Sequence, residues 1–462
     1  MKITLGIDLA QKGLHHVAIR WADGTTDPTV RNLGWDSTAW EQMAQDLEAR
    51  CPNVTVQVMM EPTGTAWVTV GQWMARRGWE VYLVKSLMVS DLRKFFQHHV
   101  KNDRVDAWTL AQLPWLHPTA PMRVTFDRPE IQALVRWTKR QHQLGRQIAK
   151  LSQAIQAKAE ACIPGISALF PNLATRSAEH VYTQALNPFE TAQRGRDALI
   201  AALHAAGDTF AKRSMEDVAT RLWGLLERAT ARYGNADELD WAARIAEIQA
   251  DWEILTLLRR QHAEAVKAAR HAYEQVDPDR TLESIYGVGR QGAPAFTAAL
   301  ASHNFSTAKK FRGYTGLIPR VNESGVTTSR NQRATKAGPR WLKAQLYLAA
   351  ETARRFDPQL AALYYRERVD KGHVHTQAVV TVATHLADRI WKVYQTGRRY
   401  ELRGLDGQPI DASQARALIQ QHWTVPDRIR QRTKKGAART RQGRPEGPQM
   451  PTATPSPTLA SG

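Results

Sequence analysis

The first nine residues constrain the chain most. Ile3, Leu5, Ile7 and Leu9 alternate with Thr4, Gly6 and Asp8, a period of two that only a β-strand satisfies. His16–Trp21 predicts a partner strand after a turn around Gln11, Lys12 and Gly13, and Val54–Met60 and Trp79–Val84 predict two more. Helical patterns run from Thr65 to Arg77, stopping at Gly78, and from Val89 to His99. A third runs from Asp103 to Leu113, where Pro114 is expected to end it. Strands interleaved with helices make residues 1–125 an α/β domain.

The pattern changes after that. Residues 126–275 carry no strand signal. Leu144, Ile148, Leu151 and Ile155 recur at helical spacing, as do Ile245, Ile248, Trp252, Leu255, His262, Val266, Ala269 and Tyr273. Two long helices with such seams are expected to pair as an antiparallel or intermolecular coiled coil. This region is read as a dimerisation element. Residues 276–400 form a third, mostly helical segment that opens on Tyr286-Gly287-Val288-Gly289. Beyond it, 401–462 reads as a basic, Pro-rich, largely disordered tail. Arg428, Arg430, Arg432, Lys434, Lys435, Arg439, Arg441 and Arg444 stand there without an acid among them. The fold class is α/β plus all-α.

Charge narrows the function. The chain has 63 Lys+Arg against 44 Asp+Glu, a net +19, and so large an excess suits a polyanionic partner, usually nucleic acid. Cys51 and Cys162 form no CxxC, so neither a disulfide framework nor a thiolate zinc site is expected. The pairs His15-His16 and His98-His99 lack zinc-ligand spacing and are read as surface or satisfied polar residues. No apolar run is long enough to span a bilayer. A cytoplasmic protein that meets the nucleoid when active is expected.

Four acids stand out. Asp8 ends the first strand, on the face shared by Thr4 and Gly6, and Glu61 ends the Val54–Met60 strand. The ends of strands are where an open α/β sheet presents its site. Asp103 and Asp106, at i and i+3, share one helix face. Acids gathered in one place repel unless a cation lies between them. Mg2+ is the hard ion suited to oxygen ligands and phosphate substrates.

In the third segment, Gly287 and Gly289 resemble a helix-hairpin-helix turn, where glycines let backbone N–H groups approach a phosphate. Farther on stand Phe311-Arg312-Gly313-Tyr314-Thr315-Gly316-Leu317-Ile318-Pro319, then Glu323-Ser324-Gly325, then Lys336-Ala337-Gly338-Pro339-Arg340-Trp341. Arg330, Arg333, Lys336 and Arg340 lie close enough in sequence to hold a phosphate.

Together with Gly6-Ile7-Asp8, Glu61-Pro62-Thr63-Gly64 and Lys101-Asn102-Asp103-Arg104-Val105-Asp106-Ala107, these stretches resemble the DEDD insertion-sequence transposases, the bridge-RNA-guided recombinases. The resemblance covers about 1–120 and 276–396. It implies a RuvC-like, ribonuclease-H-type fold for residues 1–125 and a serine transposase domain for 276–400. It implies Mg2+ on Asp8, Glu61, Asp103 and Asp106, and Ser324 as nucleophile. It further implies donor and target DNA, a structured guide RNA, and homodimers that assemble into tetramers, in which the serine and carboxylates that act together can come from different subunits. Asn102 stands where the family usually has Thr or Ser, and Val326 where a small or polar residue is common. Two other readings stay open: a hydrolytic nuclease of the junction-resolvase type, and a non-catalytic nucleic-acid scaffold.

Overall fold

The computed structural model describes residues 2–62, 64–96, 102–118, 121–124, 126, 128–206, 212–317, 323–324, 327–328 and 338–429. The chain divides into two compact units. One comprises residues 1–278 with 301–304, and the other 279–300 with 305–462.

The first unit begins with an α/β layer structure. Its elements are β1 (Lys2–Asp8), β2 (His15–Arg20), β3 (Arg31–Leu33), α1 (Ser37–Arg50), β4 (Thr55–Met60), α2 (Ala66–Ala75), β5 (Glu80–Leu83), α3 (Ser86–Phe96), α4 (Asp103–Leu116) and β6 (Met122–Val124). The sheet order is β3-β2-β1-β4-β5-β6. The pairs β1–β4 and β4–β5 are parallel, while β1–β2, β2–β3 and β5–β6 are antiparallel. This mixed six-stranded sheet is consistent with a RuvC-like domain. Pro114 does not end its helix: α4 continues to Leu116 with the proline inside.

Both faces of β1 are covered, and its alternation divides the two cores. Ile3, Leu5, Ile7 and Leu9 pack with Trp40, Met43 and Leu47 of α1 and Val70 and Met74 of α2. The opposite face carries Thr4, Gly6 and Asp8, and there α4 lies directly on the sheet. A Cβ placed on Gly6 would fall 2.1 Å from the Ala107 carbonyl oxygen and 2.3 Å from the Ala111 nitrogen. Only glycine allows so close an approach. Ala18, Ala107 and Ala111, all small, form the neighbouring contact.

The rest of this unit is helical. A 34-residue helix, α5 (Pro129–Cys162), is followed by α6 (Ile166–Leu169), α7 (Arg176–Gln184), α8 (Pro188–Arg194), α9 (Arg196–Ala205), α10 (Lys212–Tyr233) and the 36-residue α11 (Trp241–Val276). Lys158 Nζ meets Glu247 and Asp251 at 2.6 and 2.7 Å, while Gly145 lies beside the His262 ring. The two long helices therefore run antiparallel within one chain. Most of the expected seam is buried or half-buried, but Val266 is exposed and Ala265 takes its place inside. A straight helix drifts relative to a seven-residue repeat, so a seam read in strict heptads slips late in a long helix. One end of the pair joins a core with Phe170, Tyr182, Leu203, Leu222 and Leu226.

The second unit holds α12 (Gly289–Ala301), α13 (Ala308–Thr315), β7 (Glu323–Ser324), β8 (Thr327–Thr328), α14 (Arg340–Ala353), α15 (Pro358–Tyr365), α16 (His375–Thr396) and α17 (Ala412–His422). Val379, Val382, Leu386 and Ile390 bury the inner face of α16. Here the expectation of a largely disordered tail from residue 401 is corrected for residues 401–429. Asp411 caps α17 through a capping box with Gln414, and Ala415 is fully buried. Basic composition hid a segment that has a good helix start and one apolar anchor. Residues 430–462, with most of the basic cluster, lie outside the described residues. Among the described residues no helix is long and apolar enough to cross a membrane.

Candidate active site

All four sequence-predicted acids line one cavity of about 370 Å³ in the first unit, with His16, Ser86, Ser90 and Arg93. The fold brings them there in three steps. In the parallel register Gly6 pairs with Met59 and Ile7 with Met60. One further residue sets Glu61 level with Asp8 at the strand ends. The glycine contact then seats α4 on β1, and its first turn carries Asp103 and Asp106.

Asn102 explains why Asp103 is available. Its side chain accepts the Val105 N–H at 2.8 Å, so Asn102 is the N-cap of α4. Asn caps a helix as well as Ser or Thr does. The departure from the family pattern therefore keeps the same local job. Asp103 does not cap the helix and is left for the cavity.

The electrostatics follow from the gathering. Asp8 is pushed from 3.8 to about 7, first by burial and then by the charges of Asp103, Asp106 and Glu61. Asp106 is held differently. Arg93, on α3, donates from one Nη to both of its carboxylate oxygens, at 2.7 and 2.8 Å, and both side chains are largely buried. Arg93→Gln is expected to leave Asp106 a shielded carboxylate without its cation, lowering metal-free stability by about 1–3 kcal/mol. Urea denaturation with and without Mn2+ checks this: the loss should shrink when a divalent cation is present.

Besides Ser86 and Ser90, the cavity holds two basic residues that were not anticipated from sequence, Arg93 and His16. Arg93 lies in a helix whose partner was unknown. The two members of the His15-His16 pair lie in different surroundings. His15 is a core residue, fully buried, with Nδ1 accepting the Ala10 N–H at 3.1 Å and its ring against Trp35 and Trp40. His16 is the cross-strand partner of Asp8 and faces the cavity. Strand alternation forces the two rings to opposite faces. The signal was present in sequence, but it required the β1–β2 register. The pair His98-His99 lies outside the described residues.

The donor set suits a divalent cation. Ligand atoms of Asp8, His16 and Asp103 all lie within 4.8 Å of one another, and Glu61 and Asp106 line the same cavity. Burial first, and then the three neighbouring acids, raise Asp8.

The predicted residues of the second unit have mixed outcomes. Gly287 has φ +89°, and a Cβ there would fall 2.2 Å from the Ala349 carbonyl oxygen on α14, so close packing explains this glycine. Gly289 also has positive φ but has open space around it. The family-like stretches around Gly316 and Gly338 meet: a Cβ on Gly338 would lie 2.3 Å from the Tyr314 carbonyl oxygen and 3.0 Å from the Gly316 nitrogen. That approach brings the residues before 318 and after 337 together. Between these two stretches in sequence, Ser324 pairs with Thr327 and Glu323 with Thr328 in an antiparallel ladder. Arg340 is exposed in the first turn of α14, while Arg330, Arg333 and Lys336 lie outside the described residues.

Comparison with known proteins adds the family. A model described as Transposase, for the DEDD domain of the IS110 group, matches residues 5–164. A second, described as Transposase IS116/IS110/IS902 family, matches residues 279–365. Together they take in more than half of the chain. The chain is similar to an IS110 insertion-element protein of 43.6 kDa from Streptomyces coelicolor, 30% identical over 151 residues, covering 32% of this chain and 36% of that protein. It is also similar to an IS116 insertion-element protein of 44.8 kDa from Streptomyces clavuligerus, 26% identical over 132 residues, covering 28% and 33%. Each match thus spans about a third of the relative's length. The acids lie within the first matched segment and the serine ladder within the second, and the chain belongs to the IS110/IS116 family of DEDD transposases.

Proposed function

We propose that the protein is a DNA transposase that cuts and rejoins strands through a covalent phosphoserine at Ser324. The observation that supports this most is the convergence of Asp8, Glu61, Asp103 and Asp106 on one cavity in a chain of this family. These acids would hold a divalent cation, Mg2+ in the first instance. When bound, it would orient a scissile phosphate and stabilise the charge that builds on its oxygens.

The chain's own residues would do the rest. The Ser324 hydroxyl attacks phosphorus; an oxygen–phosphorus bond forms, the strand's phosphodiester bond breaks, and the departing hydroxyl takes a proton. A free hydroxyl on a second strand then attacks the phosphoserine and restores the serine. One phosphodiester is exchanged for another, so no ATP is required. Gly287, Gly289, Arg330, Arg333, Lys336 and Arg340 would hold backbone phosphates near the serine. A bridge RNA paired with donor and target DNA would supply sequence specificity, leaving the protein to read backbone and shape. The long helices would support a homodimer assembling into a tetramer.

Ser324→Ala tests the serine step. Incubated with nicked donor DNA, the unaltered protein should give an adduct that survives denaturing electrophoresis. The variant should give none while binding divalent cation as before. An adduct that persists in the variant would refute the assignment. A second reading has one observation in its favour: the acids and Ser324 belong to different compact units, and the acids alone suffice for hydrolysis. Cleavage to free ends with no adduct at any time would establish that hydrolytic reading.

A further inference from the structure

The family's name counts four carboxylates, but among the described residues the potential ligand cluster includes a histidine. Asp8, His16 and Asp103 hold their ligand atoms within 4.8 Å of one another. We propose that His16 is a direct nitrogen ligand of the divalent cation, which makes the site a mixed nitrogen–oxygen centre. This rests on the reading of the acids as a metal cradle and extends it.

Three observations carry the proposal. First, the β1–β2 register sets His16 directly opposite Asp8, and such cross-strand partners project from the same face with adjacent Cβ atoms. The imidazole is thus placed by the paired strands of the sheet and not by a loop. Second, the spacing fits. Ligands about 2.1 Å from a shared ion stand up to about 4 Å apart, so a small side-chain rotation closes the group around one ion. Third, Asp106 is engaged: Arg93 binds both of its oxygens. With the Asp106 oxygens shared with Arg93, His16 adds a donor beside Asp8 and Asp103, and Glu61 lines the same cavity. His15 does not compete, since its ring is buried against Trp35 and Trp40 and its Nδ1 is taken by the Ala10 N–H.

A nitrogen ligand changes which metal the site prefers. Mg2+ favours oxygen donors in near-ideal octahedral geometry and keeps its waters, whereas imidazole suits transition metals, and affinity for mixed sites rises along that series. The site is therefore expected to bind Mn2+ more tightly than Mg2+, with His16 as the cause.

The test uses full-length protein and the metal alone. With Mn2+ bound, pulsed electron paramagnetic resonance should show the coupling of a directly bound 14N. His16→Gln should abolish that coupling and weaken Mn2+ binding about tenfold or more, while changing Mg2+ binding by less than about twofold. Mn2+ bound without a nitrogen coupling in the unaltered protein would overturn the proposal and leave the carboxylate cradle standing. A coupling that persists in His16→Gln would also overturn it, because another histidine would then be the source. Failure of the unaltered protein to bind Mn2+ at all would refute the cradle itself, a separate and recognisable outcome. Should His16→Gln fail to fold, the spectrum of the unaltered protein still decides.

Discussion

Asp8→Asn is expected to remove DNA cleavage and, at the same time, to stabilise the metal-free protein at pH 8. The two effects have one cause. In the fold Asp8 holds its proton up to about 7, against an ordinary 3.8, because it is buried beside three other acids. Between about pH 4 and 7 the folded protein therefore binds a proton that the unfolded chain has lost. Stability then falls as pH rises through that window, and above pH 7 the whole penalty is present. Asn carries no charge and escapes it. The thermal midpoint of the metal-free variant at pH 8 should exceed that of the unaltered protein by about 2–4 °C, while at pH 4 the two should nearly coincide. Divalent cation should raise the midpoint of the unaltered protein and do little for the variant. Strand cleavage should fall by about a thousandfold. Calorimetry at the two pH values with and without Mn2+, beside a cleavage assay, measures all of this. An unchanged pH dependence in the variant would mean that Asp8 is not where the repulsion is concentrated.

The second large effect belongs to a residue with no chemistry of its own. Gly6→Val should destabilise the first unit by about 1–3 kcal/mol or more and abolish divalent cation binding. The new side chain would have to occupy space held by the backbone of α4, 2.1 Å from the Ala107 carbonyl oxygen and 2.3 Å from the Ala111 nitrogen. A helix backbone cannot swing aside as a side-chain tip can. The helix must move off the sheet, and Asp103 and Asp106 ride on its first turn away from Asp8. Gly13→Ala, where the nearest neighbour would stand at an ordinary 3.7 Å, serves as the control and should change neither property. Denaturant unfolding gives the stability change, and titration with Mn2+ gives the binding. Full cation affinity in a folded Gly6→Val protein would show that the acids do not depend on the seating of α4.

Local rules made part of this protein legible without coordinates. Ile3 to Leu9 could only be a strand, and that parity alone put Asp8 on the face of Thr4 and Gly6. The i, i+3 spacing of Asp103 and Asp106 put both at the start of one helix. Local rules failed where a distant partner decides. His15 and His16 are chemically identical neighbours, yet the β1–β2 register sends one into a tryptophan-lined core and the other into the acid cavity. Arg93 gave no sign of its role, because Asp106 reaches it only through the packing of α3 on α4. The basic, Pro-rich end of the chain suggests a disordered tail from 401, yet a capping box and the buried Leu402, Ala415 and Val425 give residues 401–429 structure.

The amino-acid sequence alone determined the strand parities, the helix starts and the four acids, because alternation, capping and spacing act over a few residues. Tertiary structure decided which of those side chains share a cavity and how hard they repel. It also decided that the Arg93 guanidinium and the His16 imidazole stand among them, because burial and Coulomb energy depend on distances through space that no run of neighbours fixes.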